Sequence, residues 1–295
     1  MANTNTNTNT NTNTMKSWFA DTAYVPAVEA APEALVLNEL VATQTATPGG
    51  DAQVVRIPFI DADPEAQIVA EGAEFAEGDP KPSEIYFGTQ KIGLLHKVSN
   101  EAYASVVEGD GNNKVADQLA ASLERAIVKK ADSLFLNAPM QETGDNVFPS
   151  TGLMNFTGVV DGGGITAKTL LSPLIDALAQ VSDNGATPSA LVMSNSAWAK
   201  ILKLTYADGR PVVDADVQTD TTPMLYGLPV IRNSAMPANG ILVVDATDIV
   251  AGFSDVEVAT DSSVYFNSDS VALRVKARVG WTLIHQNRVA KLTVD

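Results

Sequence analysis

The strongest pattern in the chain is an alternation near its end. Val271, Leu273, Val275, Ala277, Val279, Trp281 and Leu283 are separated by Ala272, Arg274, Lys276, Arg278, Gly280 and Thr282, with Ile284 following. A period of two sends successive side chains to opposite faces of a strand. The segment therefore reads as a long half-buried strand whose outer face carries Arg274, Lys276 and Arg278. A second pattern, at threes and fours, runs from Asn112 to Asn137. Val115, Leu119, Leu123, Ile127, Ala131 and Leu134 form an apolar stripe, and Gln118, Glu124, Lys129 and Lys130 lie off it. This predicts an amphipathic helix with Asn112 or Asn113 as its cap. At a rise of about 1.5 Å per residue it spans roughly 40 Å, enough for the spine of the molecule.

Weaker patterns fill the rest. Residues Ala2 to Thr14 alternate Asn and Thr with nothing apolar to bury, so disorder is expected. From Trp18 to Gly50 the prolines Pro26, Pro32 and Pro48 punctuate an extended arm with one short helix candidate, Glu33 to Ala42. Strand candidates at Gln53 to Ile60 and Glu84 to Ser99 flank a tip rich in Gly, Pro and acid. From Asp61 to Glu84 there are eight acids and one base, Lys81. So long a connection with no apolar face of its own is uncommon inside a compact domain. It reads as a projecting ribbon. Ala138 to Gly164 is loop-like and ends on Gly162-Gly163-Gly164. Ser172-Pro173 signals a helix start, running to about Ser182. A strand at Ala190 to Met193, a helix at Asn195 to Tyr206 with Trp198, Ile201 and Leu202 inward, a turn at Ala207 to Arg210, and strands at Tyr226 to Arg232 and Ile241 to Asp245 follow. Interleaved short strands and helices predict a compact α/β subdomain.

Composition narrows the functional classes. The chain has 295 residues, no cysteine and a formal charge of −16. Disulfides, thiolate nucleophiles and cysteine metal sites are excluded. A surface this acidic does not grip nucleic acid or anionic membrane, which require clustered Lys and Arg. No apolar run approaches the roughly 18 residues of a membrane span, and the N-terminus lacks a secretion signal, so the chain is expected in the cytoplasm.

Candidate chemistry is sparse. Gly162 to Thr169 resembles a phosphate-binding loop, but Ala167 stands where the second glycine is needed, and no magnesium-binding acidic strand follows. Asp61-Ala62-Asp63-Pro64-Glu65 lacks the glycine a calcium loop needs at its sixth position. The two histidines, His96 and His285, both fall on predicted strands, where structural roles outnumber ligand roles. No catalytic, cofactor or metal residue is assigned, and an enzyme is not expected. What remains is electrostatic. Acids crowd the hairpin tip (Glu71, Glu74, Glu77 and Asp79 beside Lys81), while bases collect on the spine helix (Arg125, Lys129, Lys130) and the final strand (Arg274, Lys276, Arg278). The tip of one subunit can lie over the bases of the next, with charge setting register. Ordinary solvated faces give the same pattern.

Taken in order, these elements carry a set of short phrases. They are Val69-Ala70-Glu71-Gly72, Lys81-Pro82-Ser83-Glu84, Lys97-Val98-Ser99-Asn100-Glu101, Asp132 to Asn137, Thr151-Gly152-Leu153, Met193-Ser194-Asn195 with Trp198, Asp208-Gly209-Arg210, and Leu225 to Val230. With the closing Arg278 strand, the sequence resembles the major capsid proteins of tailed bacteriophages, of the Hong Kong ninety-seven fold, from about Trp18 to Val294. That resemblance implies an α+β fold with an extended N-terminal arm, a projecting β-hairpin E-loop, a peripheral domain holding the spine helix and long strand, and an α/β axial domain. The expected divisions are 1–14 repeat, 15–51 arm, 52–99 E-loop, 100–169 peripheral, 170–254 axial and 255–295 peripheral return strands. It further implies hexamers and pentamers closing an icosahedral shell around double-stranded DNA, assembled in the host cytoplasm beside separate scaffolding, portal and decoration proteins.

Some relatives weld their shells by an isopeptide bond between an E-loop lysine and an asparagine, promoted by a glutamate. Lys81 falls at the lysine position, Asp269 at the asparagine position and Lys276 at the glutamate position, with Asn267 two residues away. Lacking electrophile and base, the shell is expected to be non-covalent. An encapsulin-type compartment enclosing a cargo enzyme is the alternative on the same fold. A nucleotide-dependent enzyme built on Gly162 to Thr169 and an acidic surface-layer protein are the rivals outside it.

Overall fold

The computed structural model describes residues 34–45, 54–62, 66, 68–69, 72, 80–99, 114–139, 150–213 and 223–295, the side chains of 61–62 and 114–120 excepted. Glu71, Glu74, Glu77 and Asp79, with the Asn-Thr repeat and most of the arm, lie outside the described residues.

The predicted long strand is present, from Ser270 to Leu283, and organises half of the molecule. In chain order the strands are β1 (Thr43–Gln44), β2 (Val54–Ala62), β3 (Lys81–Gly88), β4 (Gln90–Ser99), β5 (Val160–Ile165), β6 (Ala190–Met193), β7 (Met224–Leu225), β8 (Leu228–Arg232), β9 (Gly240–Val244), β10 (Ile249–Phe253), β11 (Glu257–Tyr265), β12 (Ser270–Leu283) and β13 (Ala290–Val294). The helices are α1 (Lys114–Asn137), α2 (Ser172–Asp183) and α3 (Asn195–Leu202). One edge of β12 is filled by β4, and the other by β11 and then β10, with β1 beyond β10.

Every predicted inward residue of β12, from Val271 to Leu283, is buried. Val275, Ala277, Val279, Trp281 and Leu283 share a core with Ile127, Ala131 and Phe135 of the spine helix α1, and the Phe135 and Trp281 rings pack edge to face at 5.4 Å. Aromatic pairs favour this geometry because the positive ring edge meets the negative face. The Trp281 indole donates to the Thr151 carbonyl at 2.8 Å, so its polar atom is satisfied inside the core.

The second sheet has six strands in the order β5-β13-β9-β6-β8-β7. Its central strands read as continuous apolar runs, Ala190-Leu191-Val192-Met193 and Ile241-Leu242-Val243-Val244. Such runs mark strands covered on both faces. Leu191, Met193, Ile241 and Val243 pack against α2 and α3, whereas Val192, Leu242 and Val244 join the core beneath α1. The sheet therefore sits in the middle of a layered molecule. Ser194 caps α3 by accepting from the Ala197 amide at 3.1 Å.

Several expectations change. Residues 162–164 belong to strand β5 rather than a loop, because the segment pairs in parallel with β13; Gly162 fits there because a Cβ would lie 2.7 Å from Leu292 Cγ of β13 and 2.9 Å from Ala177 Cβ of α2. The arm's helix candidate is only a 3-10 turn, Leu35–Leu37. Burial of Leu35, Val36, Val41 and Ala42 at one spot requires the chain to fold back before it pairs as β1. The strand expected from Tyr226 starts as a hairpin, with Tyr226 and Gly227 both at positive φ between β7 and β8. β10 belongs to the first sheet and β13 to the second, so residues 170–254 and 255–295 interleave across the two sheets.

Asp132 ties three elements together. From α1 it accepts the Leu35 amide of the arm at 2.8 Å and the Asn233 side-chain amide beyond β8 at 2.7 Å. Burial pushes its carboxyl above the usual range, against the pull of these two hydrogen bonds.

Candidate assembly surface

The returning arm of the acidic hairpin is two strands, not one. β3 pairs only with β2, as a separate two-stranded ribbon in the register Arg56↔Tyr86 and Ile57↔Ile85. After Thr89 the chain enters the main sheet as β4. The Arg278 guanidinium donates to the Thr89 hydroxyl at 3.3 Å, and Gly280 lets the ribbon cross the sheet, since a Cβ there would lie 2.6 Å from the Gly88 carbonyl oxygen. The ribbon thus rises from the outer face of β12. Its Phe59 ring packs edge-on against His285, whose Nδ1 lies 2.6 Å from the buried Asp248 carboxylate that Arg288 also binds. Phe59 lies opposite Ser83, toward the tip end of the ribbon, so this histidine ties the outer part of the ribbon to the body, a structural role.

Along the ribbon, Arg56, Tyr86 and Glu84 form a closed set. The Arg56 guanidinium donates to Glu84 at 3.0 Å and to the Tyr86 hydroxyl at 3.2 Å, and that hydroxyl donates to Glu84 at 2.8 Å. Lys81 is exposed at the start of β3, where the ribbon leads into the acidic tip.

Below the ribbon the outer face of the first sheet is basic. Register places Lys91 opposite Arg278, Leu95 opposite Arg274 and Lys97 opposite Ala272. From the other edge it places Glu257 opposite Lys276, Ala259 opposite Arg274 and Asp261 opposite Ala272. One face therefore gathers five bases (Lys91, Lys97, Arg274, Lys276, Arg278) and two acids, on a chain with 19 bases against 35 acids. Lys91 and Lys97 were missed in the sequence, although the alternation of Lys91, Gly93, Leu95 and Lys97 with Ile92, Leu94, His96 and Val98 carries the signal.

Part of this charge is used internally. Lys276 pairs with Glu257 at 2.7 Å and, as hydrogen-bond donor and positive charge, holds that carboxyl below the usual range. The Lys97 ammonium sits 4.8 Å from the Tyr265 ring centre. Asp261 accepts from the Ser263 amide and hydroxyl at 2.7 and 2.6 Å. Arg274 is exposed in the middle of the face. The spine-helix bases stand elsewhere. α1 packs under the inner face, so half-buried Arg125 and exposed Lys129 and Lys130 lie on the opposite side of the sheet from Arg274. The two basic groups form two surfaces within one subunit.

Asn267 and Asp269 are exposed on the turn from β11 to β12, Asp269 with φ of 44°. Among the described residues no group of three or more His, Asp or Glu is placed to hold a metal ion. No described helix is long and apolar enough to cross a membrane.

A family model described as the phage capsid family matches residues 28–294. The chain belongs to the phage capsid family. Solved structures agree in fold. A chain from Gordonia phage Cozz is similar with a TM-score of 0.68 at 16% identity, over 92% of this chain and 89% of that one. One from Mycobacterium phage Bobi gives 0.68 at 18%, over 97% and 99%. The capsid of a native GTA particle, computed with C5 symmetry, gives 0.69 at 16%, over 94% and 96%. No curated protein matches the chain. This capsid subunit is a structural protein of a self-assembling shell, with the α+β fold expected of it.

Proposed function

We propose that the subunit assembles as hexamers and pentamers into an icosahedral shell around double-stranded DNA, and that the acidic hairpin of each copy lies over the basic sheet face of a neighbour. The observation that carries this reading is the charge contrast. A sheet face with three more bases than acids sits on a chain of charge −16 whose segment from Asp61 to Glu84 holds eight acids and one base. Opposite potentials steer subunits together and set register, contributing to specificity more than to affinity. Lys129 and Lys130, on the other side of the sheet, offer a second basic contact to the same acids, with Arg125 beside them.

In this reading residues 52–99 act as the E-loop and 170–254 as the axial portion around each capsomer centre. The role is structural, with no catalytic step. DNA is enclosed without sequence-specific contacts, which suits a wall that repels phosphate. Scaffolding, portal and decoration proteins are separate partners, and assembly takes place in the host cytoplasm. The shell is held without covalent welds, because Lys276 occupies the glutamate position and is engaged with Glu257. The family match favours a viral shell over an encapsulin-type compartment.

Negative-stain microscopy of the purified chain tests this. Closed particles are expected from the intact chain, and folded but unassembled subunits after deletion of Asp61 to Glu84. Normal particles from the deletion variant, or Lys81 and Asn267 peptides found joined between subunits, would count against it.

A further inference from the structure

The hairpin tip is not uniformly polar. Ile68 stands there with its whole side chain in solvent, at 105% relative exposure, followed by half-buried Val69. Burying an isoleucine is worth about 1.5–3 kcal/mol relative to leaving it in water. An acidic loop has no use for it within one subunit, since no described neighbour covers it.

The basic sheet face contains a matching depression. A cavity of about 370 Å³ is walled by Leu95, Val264, Ala259 and Ala272, with Arg274 and Asp261 at its edge. Leu95 and Val264 are 57% and 59% exposed, so the walls are themselves incompletely covered. Arg274 lies opposite both Leu95 and Ala259 and brings a positive charge to the rim. Asp261 accepts from the Ser263 amide and hydroxyl and is also attracted by Arg274, whose exposed positive charge at the rim favours an incoming carboxylate.

We propose that Ile68 of one copy inserts into the Leu95–Val264 depression of a second copy, with Glu71 of the incoming hairpin pairing with Arg274. This rests on the hairpin-over-sheet reading above and names its anchor. The sequence supplies both halves of the occupant, an apolar pair at Ile68-Val69 and a carboxylate at Glu71, three residues on. Three residues of extended chain cover about 10 Å, ample to reach from the apolar walls to the guanidinium at the rim. An apolar anchor desolvated in a pocket and ringed by charge is how a few residues come to dominate an interface.

The absence of native cysteine makes a direct test clean. The double variant Ile68→Cys with Val264→Cys, assembled under reducing conditions and then oxidised, should give a ladder of covalently linked subunits on a non-reducing gel, absent from either single variant. Closed particles that yield no ladder, or only an internally linked monomer, overturn the anchor. Failure of the unaltered chain to form particles would instead sink the shell reading itself. Should the cysteine pair block closure, Ile68→Ser decides. The anchor requires a roughly tenfold rise in the concentration needed for assembly, and an unchanged concentration overturns it. Arg274→Glu should weaken assembly likewise, with recovery in the Glu71→Arg, Arg274→Glu combination. A combination no better than Arg274→Glu alone removes the Glu71–Arg274 pair from the proposal.

Discussion

The two sheets of this subunit are built from similar apolar strands and end in different surroundings. In the six-stranded sheet, alternate residues of β6 and β9 enter two cores, so both faces are dry and its central strands carry no charge. In the five-stranded sheet, β12 gives Val275, Ala277, Val279 and Trp281 to one core and presents Arg274, Lys276 and Arg278 on the other side. The six-stranded sheet serves as interior scaffolding. The five-stranded sheet is a wall with a prepared outer surface. A sheet face that keeps bases among small apolar residues is one expected to be covered later, by another chain.

Substitutions can break this comparison. The largest effect is expected at Trp281→Ala, which removes the ring packed on Phe135 and should cost about 3–5 kcal/mol in denaturant unfolding of the unassembled subunit. Leu242→Ala, inside the other sheet, should cost about 2–5 kcal/mol by the same measurement. A Leu242 variant within 0.5 kcal/mol of the unaltered chain would contradict the two-sided burial.

Asp132→Ala leaves the Leu35 amide and the Asn233 side chain without their acceptor and should cost about 1–3 kcal/mol. The ionisation of Asp132 adds a pH signature. Its folded-state pKa is raised by burial, so the native carboxyl holds its proton longer than the unfolded one. Stability is therefore lost as pH rises from the ordinary carboxylate value through the raised one. Asp132→Ala should lack that step when thermal unfolding is followed from acid to neutral pH.

Arg274→Glu should change subunit unfolding by less than about 0.5 kcal/mol, because the side chain is exposed, while impairing assembly. A large loss of subunit stability would show that the outer face serves folding and not assembly. The smallest effect is that of salt on the proposed charge contact. Raising ionic strength from about 0.1 to 1 M shortens the screening length from about 10 to 3 Å and should slow particle growth measured by light scattering. Subunit unfolding should be little affected by the same screening.

Much of this was legible in the chain. The alternation of β12, the stripe of α1 and the apolar run of β6 name their own elements, because each is decided by side chains within one period of the backbone. The arm was harder. Leu35 to Ala42 has helical spacing, yet contacts with α1 and β10 impose a 3-10 turn and a parallel strand. The triglycine segment reads as a break, although Gly162 sits where α2 and β13 pack too closely for a Cβ.

What the sequence determined by itself is the charge imbalance, the acidic hairpin, the long half-buried strand and the spine helix, together with the family phrases strung between them. Those properties are local, or additive along the chain. Only the tertiary structure decided which bases share a surface. Lys91 and Lys97 join Arg274 through a pairing that spans well over a hundred residues, while Lys129 and Lys130, nearer in sequence to β4, end on the far side of the sheet. The reason is physical. A strand's two faces are fixed by its own alternation, but the neighbours that extend each face are chosen by hydrogen-bond register and by the packing of a helix on one side only.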